Sequence, residues 1–300
     1  MTSARHILQQ GPVIKTLLRA VLPSRPKAEA ALSTPTPWLQ TTVPARPDGL
    51  IDDYLTYVFA SPDAHPSSVP AHLFPQFAFP LMMDTLERVP YDLRRMLNGG
   101  CRLENLGPIP RDVPLIVRAR LADIDANERR VVLQQEITVG VEEDHPRLKV
   151  TVYGIIPQKR KGQGKGGAKR QRPDVPESAW LTDRWRMSKR AGLTYACLSG
   201  DFNPIHWISP LARVAGFPGP ILHGFATLGY AMEGLTRKEW GGDAQAWATV
   251  DVKFERPIAL PANVGLYQGP EEGSFFVGDA QNTPAYLTGT YTLKESTEDV

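Results

Sequence analysis

The apolar positions of the chain make the same pattern twice: a run with no polar face, then segments in which apolar and polar residues alternate. From Phe74 to Val89 the residues Phe77, Phe79, Leu81, Met82, Met83 and Leu86 leave no hydrophilic side, which predicts a helix buried on most sides. Leu115–Ile124 and Arg130–Val141 then alternate and are rich in β-branched residues, as half-buried strands are, around the turn signal Asp125-Ala126-Asn127. Lys149–Ile156 predicts a third strand. The second round has a helical run from Ile221 to Leu235 and strand candidates at Ala246–Phe254, Val264–Tyr267, Ser274–Ala280 and Ala285–Leu293. The phrases Gly107–Val113 and Arg256–Val264 hold corresponding places between helix and meander. A weak internal repeat of about 130 residues accounts for this. It predicts an α+β architecture, one buried helix wrapped by an antiparallel sheet and occurring twice, with the sheets able to join edge to edge.

Residues 158–173, QKRKGQGKGGAKRQRP, have no aliphatic side chain larger than Ala168 and so nothing to bury. They predict a basic flexible linker between an N-terminal repeat over residues 35–157 and a C-terminal repeat over 174–300. Their glycines follow no strand and open no helix, so a phosphate cradle is not expected. Residues 1–34 space Ile7, Leu8, Val13, Ile14, Leu17, Leu18, Val21 and Leu22 as an amphipathic helix, broken near Gly11-Pro12 and ended by Ser33–Pro37. A helix strapped across the protein body is preferred to one lying on a membrane.

Three hundred residues suffice for one large domain or two ordinary ones, and 25 glycines with 28 prolines argue against a plain helical bundle. No apolar run approaches the roughly 20 residues of a membrane span. The net charge of +2 hides a segregation: 1–34 and 158–173 carry +4 and +7, leaving −9 on the rest. An acidic body argues against a nucleic-acid-binding face. Two cysteines, Cys101 and Cys197, and no signal-peptide pattern make a reducing cytoplasm the expected compartment.

The chemistry concentrates between Tyr195 and Gly224. Ser188 can cap a short helix holding Leu193 and Cys197, and Ser199-Gly200-Asp201 ends it. Asp201, Asn203 and His206 then fall within six residues, stiffened by Pro204. After a second loop around Pro218-Gly219-Pro220, His223-Gly224 opens the buried helix, whose start offers unpaired N–H groups and a positive dipole end. These residues can make an acid/base pair facing an oxyanion-type donor. They can equally be a turn, a cap and a packed histidine.

The run Tyr195, Ser199-Gly200-Asp201-x-Asn203-Pro204-x-His206 and the later His223-Gly224 resembles the signature of the MaoC-like, type 2 enoyl-thioester hydratases and dehydratases, a hot-dog family. The phrase Phe254–Pro261 and the order of segments extend the likeness to the single-chain, double-hot-dog 3-hydroxyacyl-thioester dehydratases. The resemblance implies that Asp201 and His206 activate one water while the Gly224 amide polarises a thioester carbonyl. Asn203, Ser199 and His223 would support them. It implies reversible (R)-specific hydration of trans-2-enoyl thioesters of coenzyme A or acyl carrier protein, with no cofactor and no metal. The alternative class is a hot-dog protein that binds acyl thioesters or a partner subunit without turnover.

The first half lacks the Asp-x-Asn-Pro-x-His run. Setting Pro75 against Pro220 places Ala78 and Phe79 where His223 and Gly224 stand, which predicts a silent half that instead shapes a tunnel for the acyl tail; Phe77, Phe79, Met82 and Met83 line that tunnel or fill core, core being preferred. Cys197 is expected to be buried filler, and Trp180, Trp185 and Trp207 packing groups and interface edges. The mobile basic linker could attract an acidic acyl carrier protein. Two hot dogs make an internal pseudo-dimer, to which a homodimer could be added.

Overall fold

The computed structural model describes residues 4–11, 13–14, 32–158 and 172–295. A 3₁₀ turn at Ala4–Gln10 precedes strand β1 (Leu39–Val43), helix α1 (Asp48–Tyr57), the short strand β2 (Ser68–Val69), a 3₁₀ turn at Ala71–Leu73 and helix α2 (Pro75–Asp84). Strands β3 (Leu97–Asn105), β4 (Ile109–Pro110), β5 (Leu115–Ala126), β6 (Arg130–Gly140) and β7 (Pro146–Pro157) complete the first half. The second half runs β8 (Trp180–Met187), α3 (Ala191–Ser199), a 3₁₀ turn at Pro204–His206, α4 (Ser209–Val214) and α5 (Gly224–Lys238). It ends with β9 (Trp247–Phe254), β10 (Ala262–Gln268), β11 (Ser274–Gly278) and β12 (Leu287–Leu293).

Ten strands form one antiparallel sheet in the order β1-β5-β6-β7-β3-β9-β12-β11-β10-β8, while β2 and β4 pair separately. Outward from the β3–β9 joint the two halves read alike, β3-β7-β6-β5-β1 and β9-β12-β11-β10-β8. The joint pairs Gly100 with Lys253 through to Glu104 with Thr249. This is the double hot-dog architecture, α+β, with the sheets joined edge to edge. The strand β3 that makes the joint gave no sequence signal, because Gly99 and Gly100 interrupt its alternation. Strands β1 and β8, at the two ends of the sheet, and helix α1 were also missed. The repeat is longer than expected: Leu39 to Trp180 is 141 residues and Leu97 to Trp247 is 150. The extra length lies in elements whose apolar pattern is too faint to count.

Alternation does what period-2 patterning requires. Along β5, Leu115, Val117, Ala119 and Leu121 are buried while Ile116, Arg118 and Arg120 lie half out. One continuous core joins Phe77, Leu81 and Met82 of α2 to Leu228, Met232 and Leu235 of α5, and to Leu103, Val150, Val250 and Val252 of strands from both halves. Each such large side chain contributes about 1.5–3 kcal/mol when fully buried, so the halves stabilise each other through residues neither could bury alone. Helix α2 is ten residues long against fifteen for α5. The space beyond its end is taken by Leu86 and Val89, packed with Leu121, Val131, Leu133 and Ile156. Gln135 of β6 closes the helix, donating to the Met82 carbonyl and to Thr85 Oγ1, both at 2.7 Å. Phe77 and Met82 are therefore core, as the second reading of these side chains has it, whereas Phe79 and Met83 are only partly buried.

The N-terminal turn straps the body. His6 Nε2 lies 2.7 Å from Asp53 on α1. The buried Gln10 donates to the carbonyls of Cys197 (3.3 Å) and Leu198 (3.0 Å), two of the end carbonyls that α3 cannot satisfy itself. Gln76 of α2 donates back to Gln10 Oε1 at 3.0 Å. Gln10→Ala leaves these groups buried and unpaired, so it is expected to lower stability by about 1–3 kcal/mol, read as a shift of the urea midpoint. The continuation of the strap through Leu17, Leu18, Val21 and Leu22, and the basic segment 159–171, lie outside the described residues. Among the described residues no helix is long and apolar enough to cross a membrane.

Candidate active site

The site grows from the C-terminus of α3. Gly200 takes the left-handed conformation (φ 82°) that ends the helix, a position where a Cβ would also strike Val13 of the strap. Ser199 Oγ–H donates to the Tyr195 carbonyl (2.9 Å) and accepts the Asp201 N–H (3.2 Å). Asp201 Oδ1 in turn accepts the Asn203 N–H (3.2 Å), and Asn203 caps the Pro204–His206 turn by accepting the Ile205 N–H (3.4 Å). Polar residues in sequence thus fold the loop on itself, and Pro204 starts the turn that presents His206. The His206 carbonyl lies against α3 at Gly192, where any Cβ would collide with it. Gly192 escaped the sequence reading, although a glycine inside a helical stretch was the available signal.

His206 Nδ1–H donates to the Ile221 carbonyl at 2.8 Å. A carbonyl only accepts, so the neutral ring carries its proton on Nδ1 and offers a lone pair at Nε2. His223 Nε2–H donates to the Asp201 carbonyl at 2.9 Å and lies 3.9 Å from Asp201 Oδ2. The two imidazoles stack, centroids 3.6 Å apart and planes 23° apart. Burial lowers the pKa of His206, against the Asp201 charge and the bond to Ile221. It takes His223 well below the ordinary imidazole value, helped by His206 and opposed by the bond to Asp201. Both rings are neutral at pH 7. In a ¹⁵N-histidine NMR titration both are expected to titrate below 6.5, and Asp201→Asn to lower His206 further by removing the charge that favours its imidazolium. A His206 midpoint above 6.5 contradicts this.

One ligand-type atom each of Asp201, His206 and His223 lies within 4.8 Å of the others, so the three face one small space. Such a grouping is also metal-like, which the spacing in sequence did not suggest. His223 ends in extended conformation as the N-cap of α5, and Gly224 is its first residue, with an N–H that has no partner in the helix. A Cβ at Gly224 would stand 3.2 Å from the Phe254 ring, which therefore screens this helix start. Tyr195 is buried beside His223 (centroids 4.7 Å), and its hydroxyl has no hydrogen-bond partner among the described residues. All six residues singled out in the sequence, Ser199, Asp201, Asn203, His206, His223 and Gly224, thus belong to one contiguous constellation.

Two expectations change, for Cys197 and for the first half's helix start, and the tryptophans divide. Cys197 is only partly buried, and burial pushes its thiol up, the reverse of nucleophile activation. Of the three tryptophans only Trp185 is buried; Trp180 and Trp207 are exposed. In the first half α2 starts at Pro75 as α5 starts at Gly224, so Phe74 stands where His223 does and Pro75 where Gly224 does. Phe79 lies a turn inside the helix. What the first half lacks at this point is an N–H, because proline has none.

Comparison with known proteins bears on this geometry. Residues 171–268 match the model of the MaoC like domain. Over 175 residues the chain is 29% identical to the peroxisomal enoyl-CoA hydratase 2 of Arabidopsis thaliana, covering 55% of this chain and 56% of that protein. Over 171 residues it is 31% identical to 3-hydroxyacyl-thioester dehydratase Y of Mycobacterium tuberculosis, covering 54% and 58%. The matches thus span little more than half the length of these relatives. The crystal structure of a MaoC-like dehydratase from Phytophthora capsici superposes with a TM-score of 0.70 at 19% identity, over 88% of this chain and 97% of that one. That likeness is one of fold.

Proposed function

With residues 171–268 a MaoC-like domain, we propose that this chain catalyses the reversible hydration of trans-2-enoyl thioesters to (R)-3-hydroxyacyl thioesters. The observation that carries it is that Asp201 and His206 come within 4.8 Å of His223, the N-cap residue just before Gly224 at the start of α5. In this reading Asp201 Oδ2 and the free lone pair on His206 Nε2 hold one water between them. Its hydroxyl adds to C3 of the enoyl chain, and a proton passes through the carboxylate and imidazole to C2. The carbonyl oxygen, which gains charge as the enolate-like state forms, takes the Gly224 N–H at the positive end of α5. Every step runs backwards as dehydration. Asn203 and Ser199 fix the loop, and His223 holds the Asp201 carbonyl. The two halves then differ in purpose, 174–300 holding the chemistry and 35–157 completing the core as an internal pseudo-dimer.

The acyl group would arrive on coenzyme A or on an acyl carrier protein, and both free cysteines suit a reducing compartment such as the cytoplasm. The test follows the loss of crotonyl-CoA absorbance, repeats it with a long enoyl chain and with both carriers, and resolves the product by chiral chromatography. Turnover with (R)-product is expected. No turnover on any of these thioesters overturns the reading, and an (S)-product overturns its stereochemistry.

A further inference from the structure

Nine residues beyond Gly224 on α5, roughly 13 Å along the axis at 1.5 Å per residue, Glu233 is a carboxylate at 1% exposure. Two imidazoles converge on one of its oxygens: His65 Nε2–H and His72 Nε2–H each donate to Oε1 at 2.8 Å. Both histidines lie on the connection between α1 and α2, which is the first half's counterpart of the loop that carries Asp201 and His206. Burial pushes the Glu233 carboxyl up, but the two imidazole donors outweigh it and hold its pKa at about 2. Burial lowers His72, against its bond to Glu233. A buried carboxylate is thus met by two imidazole N–H donors at one oxygen only.

Its other side is unsatisfied. Glu233 Oε2 and His65 Nδ1 have no partner among the described residues, nor has Gln245 Oε1 on the wall of the same cavity. Glu233 Oε2 and Gln245 Oε1 are acceptors shut away from water, and His65 Nδ1 is free to take the ring proton when Nε2 turns to a cation. Acceptors gathered round one cavity fit a cation. One ligand atom from each of His65, His72 and Glu233 lies within 4.8 Å of the others. The 2.8 Å from each Nε2 to Glu233 Oε1 needs to open only to roughly 3.3 Å, the edge of a tetrahedron with metal bonds near 2.0–2.1 Å. Tyr54 O–H now donates to His72 Nδ1 at 2.7 Å. If Nε2 turns to a metal the ring proton moves to Nδ1 and donates to the Tyr54 oxygen, the outer support that histidine ligands usually have. Asn105 and Arg147 also line the cavity.

We propose that His65, His72 and Glu233 form a site for a borderline-soft divalent cation of the zinc class, tying the α1–α2 connection of the first half to the central helix of the second. Two nitrogens and a carboxylate are the ligand set such ions take, with the remaining position opening on the cavity.

The full-length protein, stripped by dialysis against a chelator, is titrated with Co²⁺ in the visible range and then with Zn²⁺. One Co²⁺ per chain is expected, with the intense bands of a four-coordinate ion, displaced by one Zn²⁺. His65→Gln and His72→Gln are expected to lose the bands, circular dichroism showing that each still folds, while Asp201→Asn keeps them. Absence of stoichiometric binding by the wild type, which needs no variant to interpret, overturns the proposal: the cavity then holds water. Bands that survive both histidine substitutions and vanish in Asp201→Asn overturn it equally, by placing the ion at the other cluster.

Discussion

His206→Gln and Asp201→Asn are each expected to slow crotonyl-CoA hydration about 10²–10⁴-fold through kcat, with KM little changed. Glutamine can still donate to the Ile221 carbonyl as His206 Nδ1 does, and fills a similar space beside His223, so what is lost is the Nε2 lone pair. Asparagine at 201 can still accept the Asn203 N–H through its oxygen, which keeps the turn and removes only the charge. Because both residues act on one water, the double variant should be scarcely slower than the worse single one. Undiminished rates in either single variant overturn its place in the site.

The second large effect is expected at Gly224. Proline is well accepted at the first position of a helix, where its missing N–H breaks no helical bond, and the extended His223 (φ −64°, ψ 140°) suits the residue before it. Pro75 already opens α2 in this way. Gly224→Pro therefore deletes one N–H at a tolerated place, and kcat should fall by about 10²–10³, the usual cost of losing an oxyanion donor. The ring also brings carbon atoms toward Phe254, 3.2 Å from where a Cβ would sit. Gly224→Ala separates the two effects, since alanine makes the same contact and keeps the N–H. Paired with Phe254→Leu, which makes room, Gly224→Ala should recover and Gly224→Pro should not. Equal behaviour of the two sets the donor role aside.

The joint between the halves shows where the sequence stops speaking. Strands β5, β6 and β7 announce themselves because each buries one face, and period 2 writes that into the residue order. Strand β3 buries Cys101 and Leu103 but begins with Leu97-Asn98-Gly99-Gly100, so its pairing to β9 rests on backbone hydrogen bonds and on a neighbour about 150 residues away. The buried Gln10 is silent in sequence for the same reason. It closes α3 from 187 residues away, and no local spacing signals that. His65, His72 and Glu233 are scattered over 168 residues and were passed over, since only packing α5 against the α1–α2 connection brings them together.

Local covalent order determined much of the candidate site. Ser199 to His206 are close enough that side-chain-to-backbone hydrogen bonds and Pro204 fold the loop by themselves, and His223-Gly224 marks a helix start wherever it falls. Tertiary structure decided what those pieces face. It set the His206 carbonyl against Gly192 and stacked His206 on His223, so that burial holds both rings neutral. It also put the Phe254 ring over Gly224. Hydrogen bonds within six residues act at the range of the chain itself, whereas desolvation and close packing depend on which distant surfaces meet, and only the closed double sheet brings those surfaces together.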